Sequence, residues 1–234
     1  MIEDHLQALE LDAMVEKIRA REPFALARFG DGEWRALTGY KALMGKNCDG
    51  QPHADVAADL ARVLRARPSY YLGIQPFALR VVGDELRAWL SKEGLDDLQW
   101  WTSDAMHRAS MRDRLGPFIS AIAARDVVLV GPAHLGRWNG LRHKLHVVVP
   151  DGGRAHSERD RIVDLTASAC GMLEAPFVSV SAGMSAKGIV HDLHARLGES
   201  ATIVDVGSLW DPYAGVASRA YHAAVVDRLA KAAS

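Results

Sequence analysis

The feature that most constrains this chain is a repeated alternation of short apolar segments with longer amphipathic ones. Val127 to Gly131, for example, is an uninterrupted apolar run that ends in glycine, which predicts a strand buried on both faces. Such strands are predicted at Phe24 to Phe29, Tyr70 to Ile74, Leu98 to Trp101, Val127 to Gly131, Leu145 to Val149, Phe177 to Val180 and Thr202 to Val206. Buried strands separated by helices imply a parallel sheet covered on both faces. We therefore predict an α/β fold, a Rossmann-like three-layer domain with a mostly parallel sheet.

Amphipathic spacing predicts the helices that separate these strands. They span about Leu6 to Arg21, Ala54 to Ala66, Phe77 to Leu90, Ser103 to Ala124, Ser157 to Gly171, Ser185 to Leu197 and Ala214 to Ala233. The polar segment Gly45 to Pro52 is predicted to be a surface loop and a candidate lid. No internal repeat or linker interrupts the chain, so we expect residues 1–234 to form one domain.

Composition excludes several classes of protein. Apolar residues make up 49% and charged residues 24% of the chain, which is ordinary for a globular protein. The formal net charge of −1 gives no overall attraction for nucleic acid or an anionic membrane. The first residues lack the apolar core of a signal peptide, and no apolar run reaches transmembrane length. Cys48 and Cys170 are isolated, which suits a reducing compartment. We expect a cytoplasmic protein without a membrane span.

Two carboxylates flanked by glycines follow the first buried strand. Gly30 and Gly32 allow a tight turn, and Asp31 and Glu33 are then placed at the carboxyl end of that strand. Ligands bind at this edge of open α/β sheets, so an Asp-x-Glu pair there is a candidate site for a hard divalent cation. The same residues also fit an ordinary helix start, with Asp31 as N-cap and Glu33 complementing the helix dipole.

A second strand end carries the signature of an anion site. After Val180 the chain passes through small residues, including Gly183 and Ser185, into a predicted helix with Lys187 in its first turn. A helix N-terminus offers free backbone N–H groups to a phosphate, and Ser185 and Lys187 would add donors. A plain strand-to-helix turn capped by Ser185 is the alternative. Lysine opposes the helix dipole at this position and therefore calls for an anionic partner.

Further charged residues stand at or near predicted strand ends. Asp205 lies inside the last predicted strand and Asp211 follows it, before Pro212. Asp211 is the stronger candidate for the site, and ordering of the loop is the alternative role of Asp205. Arg28 precedes the glycine turn and could pair with the carboxylates or reach a phosphate. Asp211, Asp151 and His134 lie at predicted strand ends and are candidates for a general base.

Several familiar motifs are absent. Gly39 to Asn47 has five residues between its glycines and lacks the Ser or Thr of a Walker motif. The Gly30-Asp31-Gly32 turn lacks the third glycine of a dinucleotide fingerprint. His191 and His194 are three residues apart on a predicted helix, but no third metal ligand accompanies them.

Together these segments resemble the glycosyltransferases of the GT-D fold, a group first described as a domain of unknown function. The resemblance rests on Arg28-Phe29-Gly30-Asp31-Gly32-Glu33, on Val149-Pro150 followed by Ala155 and the helix start Ser157 to Ile162, and on Gly183-x-Ser185-Ala186-Lys187 with Asp205-x-Gly207. The family pattern has Gly-Pro-Thr-Ala-Lys where this chain has Gly183 to Lys187, and Ser185 keeps the hydroxyl of that threonine. The early loop and the Trp-rich middle of the chain match the family poorly.

The resemblance implies a metal-dependent hexosyltransferase with a GT-D type fold. The family uses its Asp-x-Glu motif to hold Mn²⁺ or Mg²⁺ against the diphosphate of a nucleotide sugar, here expected to be a UDP-sugar. Glu33, ahead of Asp31, would then hold the ion. Lys187, Ser185 and the helix N-terminus after Gly183 would bind phosphate oxygens, with Arg28 supporting either set. Asp31, Glu33 and Asp211 are the expected catalytic residues, while Gly30 and Asp205 are expected on the donor side.

Other functions remain open at this stage. The acceptor is expected to be a hydroxyl of a glycan or glycoconjugate, and a variant places it on nucleic acid, beside a basic strip at Arg137, Arg142, His143, Lys144 and His146. A non-catalytic nucleotide-sugar binding module and a metal-dependent phosphohydrolase are the alternatives from other classes. The C-terminal helix has two candidate packing partners, its own sheet or a second copy of the chain in a homo-oligomer.

Overall fold

A single parallel sheet runs through the protein. The structure is a computed structural model that describes residues 2, 6–39, 53–150 and 154–232. Its eight strands are β1 (Leu6–Gln7), β2 (Ala25–Phe29), β3 (Tyr71–Ile74), β4 (Trp100–Thr102), β5 (Val127–Gly131), β6 (His143–Val148), β7 (Phe177–Val180) and β8 (Thr202–Asp205). They lie in the order β1-β4-β3-β2-β8-β7-β5-β6, and every pair is parallel. The predicted α/β fold with a parallel sheet is confirmed.

Helices cover both faces of this sheet. They are α1 (Leu11–Arg19), α2 (Asp31–Thr38), α3 (His53–Arg65), α4 (Pro76–Lys92), α5 (Ala105–Met111), α6 (Gly116–Ala123), α7 (Arg159–Cys170), α8 (Ala186–Leu197) and α9 (His222–Ala232). Helices α2, α3, α4, α7 and α8 share one core with Ala27 and Phe29 of β2. Helices α1, α5 and α6 share the second core with Leu26. Successive residues of β2 therefore face opposite layers, as the two-residue period of a strand requires.

The centre of the sheet creates a crevice at its carboxyl edge. β2 lies between β3 and β8, with Leu26 in register with both Tyr71 and Val204. The chain leaves β2 toward the first core through α2, and it leaves β8 toward the second core, where Trp210 is buried. Adjacent strands whose connections diverge in this way leave room between them for a ligand.

Three predicted elements differ from the observed ones. Leu6 and Gln7 form a strand paired with Trp100 and Trp101 instead of the first turns of α1. The helix predicted over Ser103 to Ala124 is divided, because Asp113 has a φ of 59° and a new helix, α6, begins at Gly116 with Pro117 in its first turn. The C-terminal helix begins at His222, well after the predicted Ala214. A left-handed Gly215, with a φ of 78°, ends the short turn that precedes it.

Some predictions concern residues that the structure does not describe. The loop Gly45 to Pro52, Cys48 and Asp151 lie outside the described residues. The single domain expected over residues 1–234 stays a prediction. None of the helices in the described ranges has the length and apolar character needed to cross a bilayer.

The close approach of β3 and β4 gives a test of this packing. A Cβ atom at Gly73 would lie 2.6 Å from the Cβ of Ser103 and 3.0 Å from a methyl group of Leu26. We expect Gly73→Ala to lower the free energy of unfolding by about 1–3 kcal/mol, because the core must expand. Gly116→Ala is the control, since nothing lies within 4 Å of its Cβ position. Urea denaturation that shows equal stability for the two variants would contradict this packing.

Candidate functional site

A buried lysine joins three elements at the carboxyl edge of the sheet. Lys187, in the first turn of α8, is 4% exposed. Its Nζ lies 2.5 Å from Oε1 of Glu33 and 3.2 Å from Oδ2 of Asp205. It also donates to the carbonyl oxygen of Gly183 at 3.2 Å. An ammonium group has three N–H donors, so Lys187 is fully paired.

The Glu33 carboxylate is held on both of its oxygens. Oε1 accepts from Lys187, and Oε2 accepts from the backbone N–H of Gly30 at 2.9 Å. Burial alone would raise the pKa of Glu33, but the charge and hydrogen bond of Lys187, with the backbone N–H bonds, bring that pKa below its ordinary value. Burial likewise would lower the pKa of Lys187, while Asp205 and Glu33 raise it. Both groups are therefore charged at neutral pH.

Asp205 connects this ion-pair cluster to the neighbouring strand. Its Oδ2 accepts the backbone N–H of Arg28 at 3.1 Å, and its Oδ1 accepts the N–H of Gly207 at 3.0 Å. Gly207 has a φ of 57°, which only glycine adopts readily, and it brings the loop after β8 against Arg28. Asp205 therefore orders its own loop, as the sequence predicted, and also belongs to the site.

The Arg28 side chain lies on the opposite face of the sheet from Lys187. Arg28 follows Ala27 in β2, so its side chain enters the second core, where Nε donates to the Ser103 carbonyl at 3.0 Å. Its Nη2 lies 3.2 Å from Nδ1 of His107. A guanidinium only donates, so Nδ1 of His107 accepts and the ring proton is on Nε2. Burial and the nearby charge of Arg28 keep the pKa of His107 well below its ordinary value.

Arg28 is a buried cation with no carboxylate on its guanidinium. The side chain is 5% exposed, and no Asp or Glu among the described residues forms an ion pair with it. Buried polar atoms without partners lie at the same edge: the hydroxyls of Ser103 and Ser181 and Nε2 of His222. Buried polar groups in proteins are almost always paired, so this edge has the polar lining of a ligand site.

A second hydrogen-bonded group lies between the loops after β5 and β8. Nε2 of His134 is 2.9 Å from Oδ1 of Asp211. The hydroxyl of Ser218 donates to the other oxygen of Asp211, and it also lies 3.3 Å from Nδ1 of His222. The structure thus joins two of the predicted base candidates, His134 and Asp211, in one dyad.

The carboxylates of the Asp-x-Glu turn differ in how well they suit a divalent cation. Glu33 does not fit as a ligand in this arrangement, because both of its oxygens are already paired. Asp31 fits better: its side chain is 39% exposed, with Arg35 as a salt-bridge partner at 3.2 Å. The described residues include no group of three or more His, Cys, Asp or Glu side chains that could enclose a metal ion. A cation beside Asp31 would take its other ligands from water and a bound phosphate.

The predicted helix caps are corrected by the structure. Gly30 occupies the N-cap of α2 and donates its backbone N–H to the Glu33 carboxylate, so Asp31 is the first helical residue and not the cap. Ser185, 1% exposed, occupies the N-cap of α8 but makes no capping bond there. The roles of Ser185 and Lys187 as phosphate ligands, and of Glu33 as a metal ligand, stay predictions.

Sequence reasoning missed several residues of this edge. Ser103 directly follows β4, a position that is detectable once the strand is assigned. His107, Ser218 and His222 come from α5 and from the region around the start of α9, and no local pattern distinguishes them. Only the packing of α9 against α5 and against the turn Pro212–Ala214 after β8 brings them to the site.

The basic strip proposed for nucleic acid lies at and before the edge strand β6. Lys144 pairs with Asp126 at 3.3 Å, and Nε2 of His146 lies 3.0 Å from the Gly131 carbonyl. Nδ1 of His143 also lies 3.3 Å from the Leu141 carbonyl, so three side chains of the strip already have partners in the protein. Nucleic-acid binding stays a prediction.

Comparison of the chain with protein-family models, with curated proteins and with solved structures found no match. The resemblance to GT-D glycosyltransferases consequently stays an expectation drawn from the motifs. Support for a function must come from that resemblance and from the geometry of the site.

The buried carboxylate and its exposed neighbour form a matched pair for mutagenesis. We expect Glu33→Gln to lower the free energy of unfolding by about 1–3 kcal/mol, because Lys187 loses one of two charge partners in a buried site. Asp31→Asn should change it by less than about 0.5 kcal/mol, since its salt bridge is partly exposed. Chemical denaturation of both variants checks this, and equal losses would contradict the assigned network.

The same cluster predicts how stability depends on pH. Glu33 has a folded-state pKa below its ordinary value of 4.5, so its contribution is complete above pH 4.5 and is lost as pH falls through the folded-state value. Lys187 has a pKa raised above 10.5, so its contribution is complete below pH 10.5 and is lost at higher pH. Between pH 6 and pH 3, Glu33→Gln should lose less stability than the unsubstituted chain. Parallel acid dependences in thermal denaturation would count against the paired Glu33.

Proposed function

We propose that this chain is a metal-dependent glycosyltransferase, which moves a hexose from a nucleotide-diphosphate sugar to a hydroxyl of a glycan or glycoconjugate. The observation that best supports this proposal is that three separate stretches of the chain meet at one place. The stretches Arg28 to Glu33, Gly183 to Lys187 and Asp205 to Gly207, which carry the family resemblance, are joined by the contacts of Lys187 and Asp205. Segments that resemble the pattern of one family and also meet at the ligand-binding edge of the sheet are expected to act as one site.

The charge of Arg28 supports an anionic substrate. A buried guanidinium without a carboxylate partner gains most from an anion that enters the site with the ligand. The planar fork of arginine matches phosphate oxygens, and two of its nitrogens are already fixed by Ser103 and His107. A nucleotide diphosphate supplies such an anion. Arg28 is therefore the phosphate ligand that we place first, ahead of the fully paired Lys187.

The proposed transferase uses a divalent cation, Mn²⁺ or Mg²⁺. Asp31 would hold the ion together with the donor phosphates, and the bound ion would stabilise the charge that develops on the departing diphosphate. Glu33 would act beside it by fixing the start of α2 through Gly30 and Lys187. Magnesium-type sites commonly use only one or two protein carboxylates with substrate phosphates, which suits the exposed Asp31.

The proposal also covers the donor, the acceptor, the location and the oligomeric state of the protein. We propose a UDP-sugar as the donor and a hydroxyl of a glycan or glycoconjugate as the acceptor. We also propose a cytoplasmic location. Sedimentation of the purified chain would test whether it forms a homo-oligomer. No contact in the described residues favours nucleic acid as acceptor over a glycan or glycoconjugate.

The test is a panel of nucleotide sugars incubated with Mn²⁺, with and without acceptor glycans. Release of nucleoside diphosphate together with a glycosylated product supports the transferase. Free phosphate as the product would identify a phosphohydrolase instead. Tight, metal-dependent binding without turnover would identify a binding module, and loss of release in Asp31→Ala would tie the activity to this turn.

Arg28 provides a sharper test of donor binding. We expect Arg28→Gln to weaken binding of the nucleoside diphosphate by roughly 10- to 100-fold, because a charge-assisted bond to phosphate contributes about 1.5–3 kcal/mol. Arg196→Gln is the control, since Arg196 is exposed in the last turn of α8 and pairs with Asp164. Isothermal calorimetry with UDP measures both. Equal UDP affinities of the two variants would show that Arg28 does not bind the donor.

A further inference from the structure

We propose that His134, oriented by Asp211, is the general base that takes the proton of the acceptor hydroxyl in an inverting glycosyl transfer. This inference rests on the proposed function and adds the group that activates the acceptor. His134 lies in the turn Ala133–Arg137 directly after β5, and Asp211 lies in the loop after β8. Both are at the carboxyl edge of the sheet.

The hydrogen bonds of Asp211 decide which of the two groups acts. Oδ1 faces Nε2 of His134 at 2.9 Å, and Oδ2 accepts the hydroxyl of Ser218. The Asp211 side chain is only 9% exposed, so both oxygens are committed within the protein. An ionised carboxylate only accepts, which places the proton of His134 on Nε2 and leaves the lone pair on Nδ1. A carboxylate that orients an imidazole in this way is the usual support of a general base. Asp211 is thus a positioning residue.

The remaining bonds fix the orientation of Asp211 itself. Ser218 has one hydroxyl proton and gives it to Asp211, so its oxygen accepts from Nδ1 of His222 at 3.3 Å. His222 is 1% exposed, and its Nε2 then carries an unpaired lone pair. A buried acceptor without a donor is costly unless a ligand supplies one. A hydroxyl-rich acceptor molecule has such donors.

The dyad and Arg28 lie on the same face of the sheet. Leu135, next to His134, and Trp210, next to Asp211, belong to the second core, which Arg28 also enters. Ring contacts continue the wall between the two groups: His107, bonded to Arg28, lies 6.2 Å from Tyr221, which lies 4.5 Å from His222. One polar wall therefore connects the phosphate ligand to the base.

The separation of the two strands that carry these groups leaves room for a substrate between them. β5 is the third strand from β2, and strands are about 4.8 Å apart, so the two strand ends are separated by roughly 14 Å. The phosphate contact, the approach of the hydroxyl to the anomeric carbon and the bond from the hydroxyl to the base each span about 3 Å. These three contacts and the phosphate group together would separate the base from the phosphate ligand by roughly 12 Å.

The chemical step balances without any further reagent. The acceptor oxygen forms a bond to the anomeric carbon as its proton passes to Nδ1 of His134. The bond between that carbon and the diphosphate oxygen breaks, and its electron pair leaves with the nucleoside diphosphate. Attack opposite the leaving group inverts the anomeric configuration.

A purely structural role for the dyad makes different predictions. His134 and Asp211 would then only tie together the loops after β5 and β8, and their replacement would lower stability without a selective effect on transfer. His134→Gln separates the two roles, because glutamine can still donate to Asp211 but cannot accept a proton. His191→Gln is the matched control, since His191 contacts the Tyr70 hydroxyl at 3.2 Å and belongs to α8 on the other face.

The experiment measures transfer rate, UDP affinity and the configuration of the product. His134→Gln should transfer 10²- to 10⁴-fold more slowly, the range expected for loss of a general base, with UDP affinity and melting temperature unchanged. His191→Gln should transfer at the original rate. Nuclear magnetic resonance of the product formed by the unsubstituted chain should show an inverted anomeric centre.

Two results would overturn the assignment alone: transfer by His134→Gln within about fivefold of the original rate, or retained configuration in the product of the unsubstituted chain. The stereochemical result needs no variant, so it holds even if a substitution prevents folding. Absence of transfer by the unsubstituted chain across the whole donor panel would instead overturn the proposed function, and this assignment with it.

Discussion

The buried ammonium of Lys187 is the interaction on which the site depends. It lies between Glu33 and Asp205 and bonds the carbonyl of Gly183, so it joins the start of α2, the start of α8 and the end of β8. Desolvating these charges costs several kcal/mol for each ion, and only their mutual pairing offsets that cost. The cluster therefore forms as a unit, and it fixes the edge of the sheet where β2 meets β8.

The two-residue period of β2 divides the site into two parts. Asp205 and Lys187 belong to one face, and the Arg28 side chain lies on the other, with the Arg28 backbone N–H bonded to Asp205 as the link between them. The first part is closed, because its charges satisfy one another. The second part has a guanidinium that lacks a carboxylate partner among the described residues, the unpartnered hydroxyls of Ser103 and Ser181, and the His134–Asp211 dyad. The phosphate and base contacts that we propose therefore belong to the second face, while the ion pairs of the first face hold the edge of the sheet in place.

Much of this architecture could be predicted from the periodicity of apolar residues. The wrong predictions share one cause, which is that they depend on contacts or backbone angles that this periodicity does not show. The seven predicted strands are all present. The clearest are β2, β5, β7 and β8, because strands buried on both faces need continuous apolar runs that leave a clear trace. The prediction of a helix at Leu6 and Gln7 is wrong because their pairing with Trp100 and Trp101 is distant in sequence. The break near Asp113 depends on a left-handed residue that amphipathic spacing does not reveal. Gly30 takes the cap position expected for Asp31, because Glu33 reaches back to the Gly30 N–H.

The sequence by itself determined the fold class, the order of its elements and the strand ends where charged residues gather, since these follow from periodicity and from glycine turns within short windows. Only the tertiary structure decided which charges meet. It paired Lys187 with Glu33 and Asp205, turned Arg28 toward His107, and brought His222 and Ser218 to the Asp211 that orients His134. Together with the bond from the Arg28 backbone N–H to Asp205, those contacts join residues up to 177 positions apart. Their energies depend on burial and orientation, which no local segment encodes.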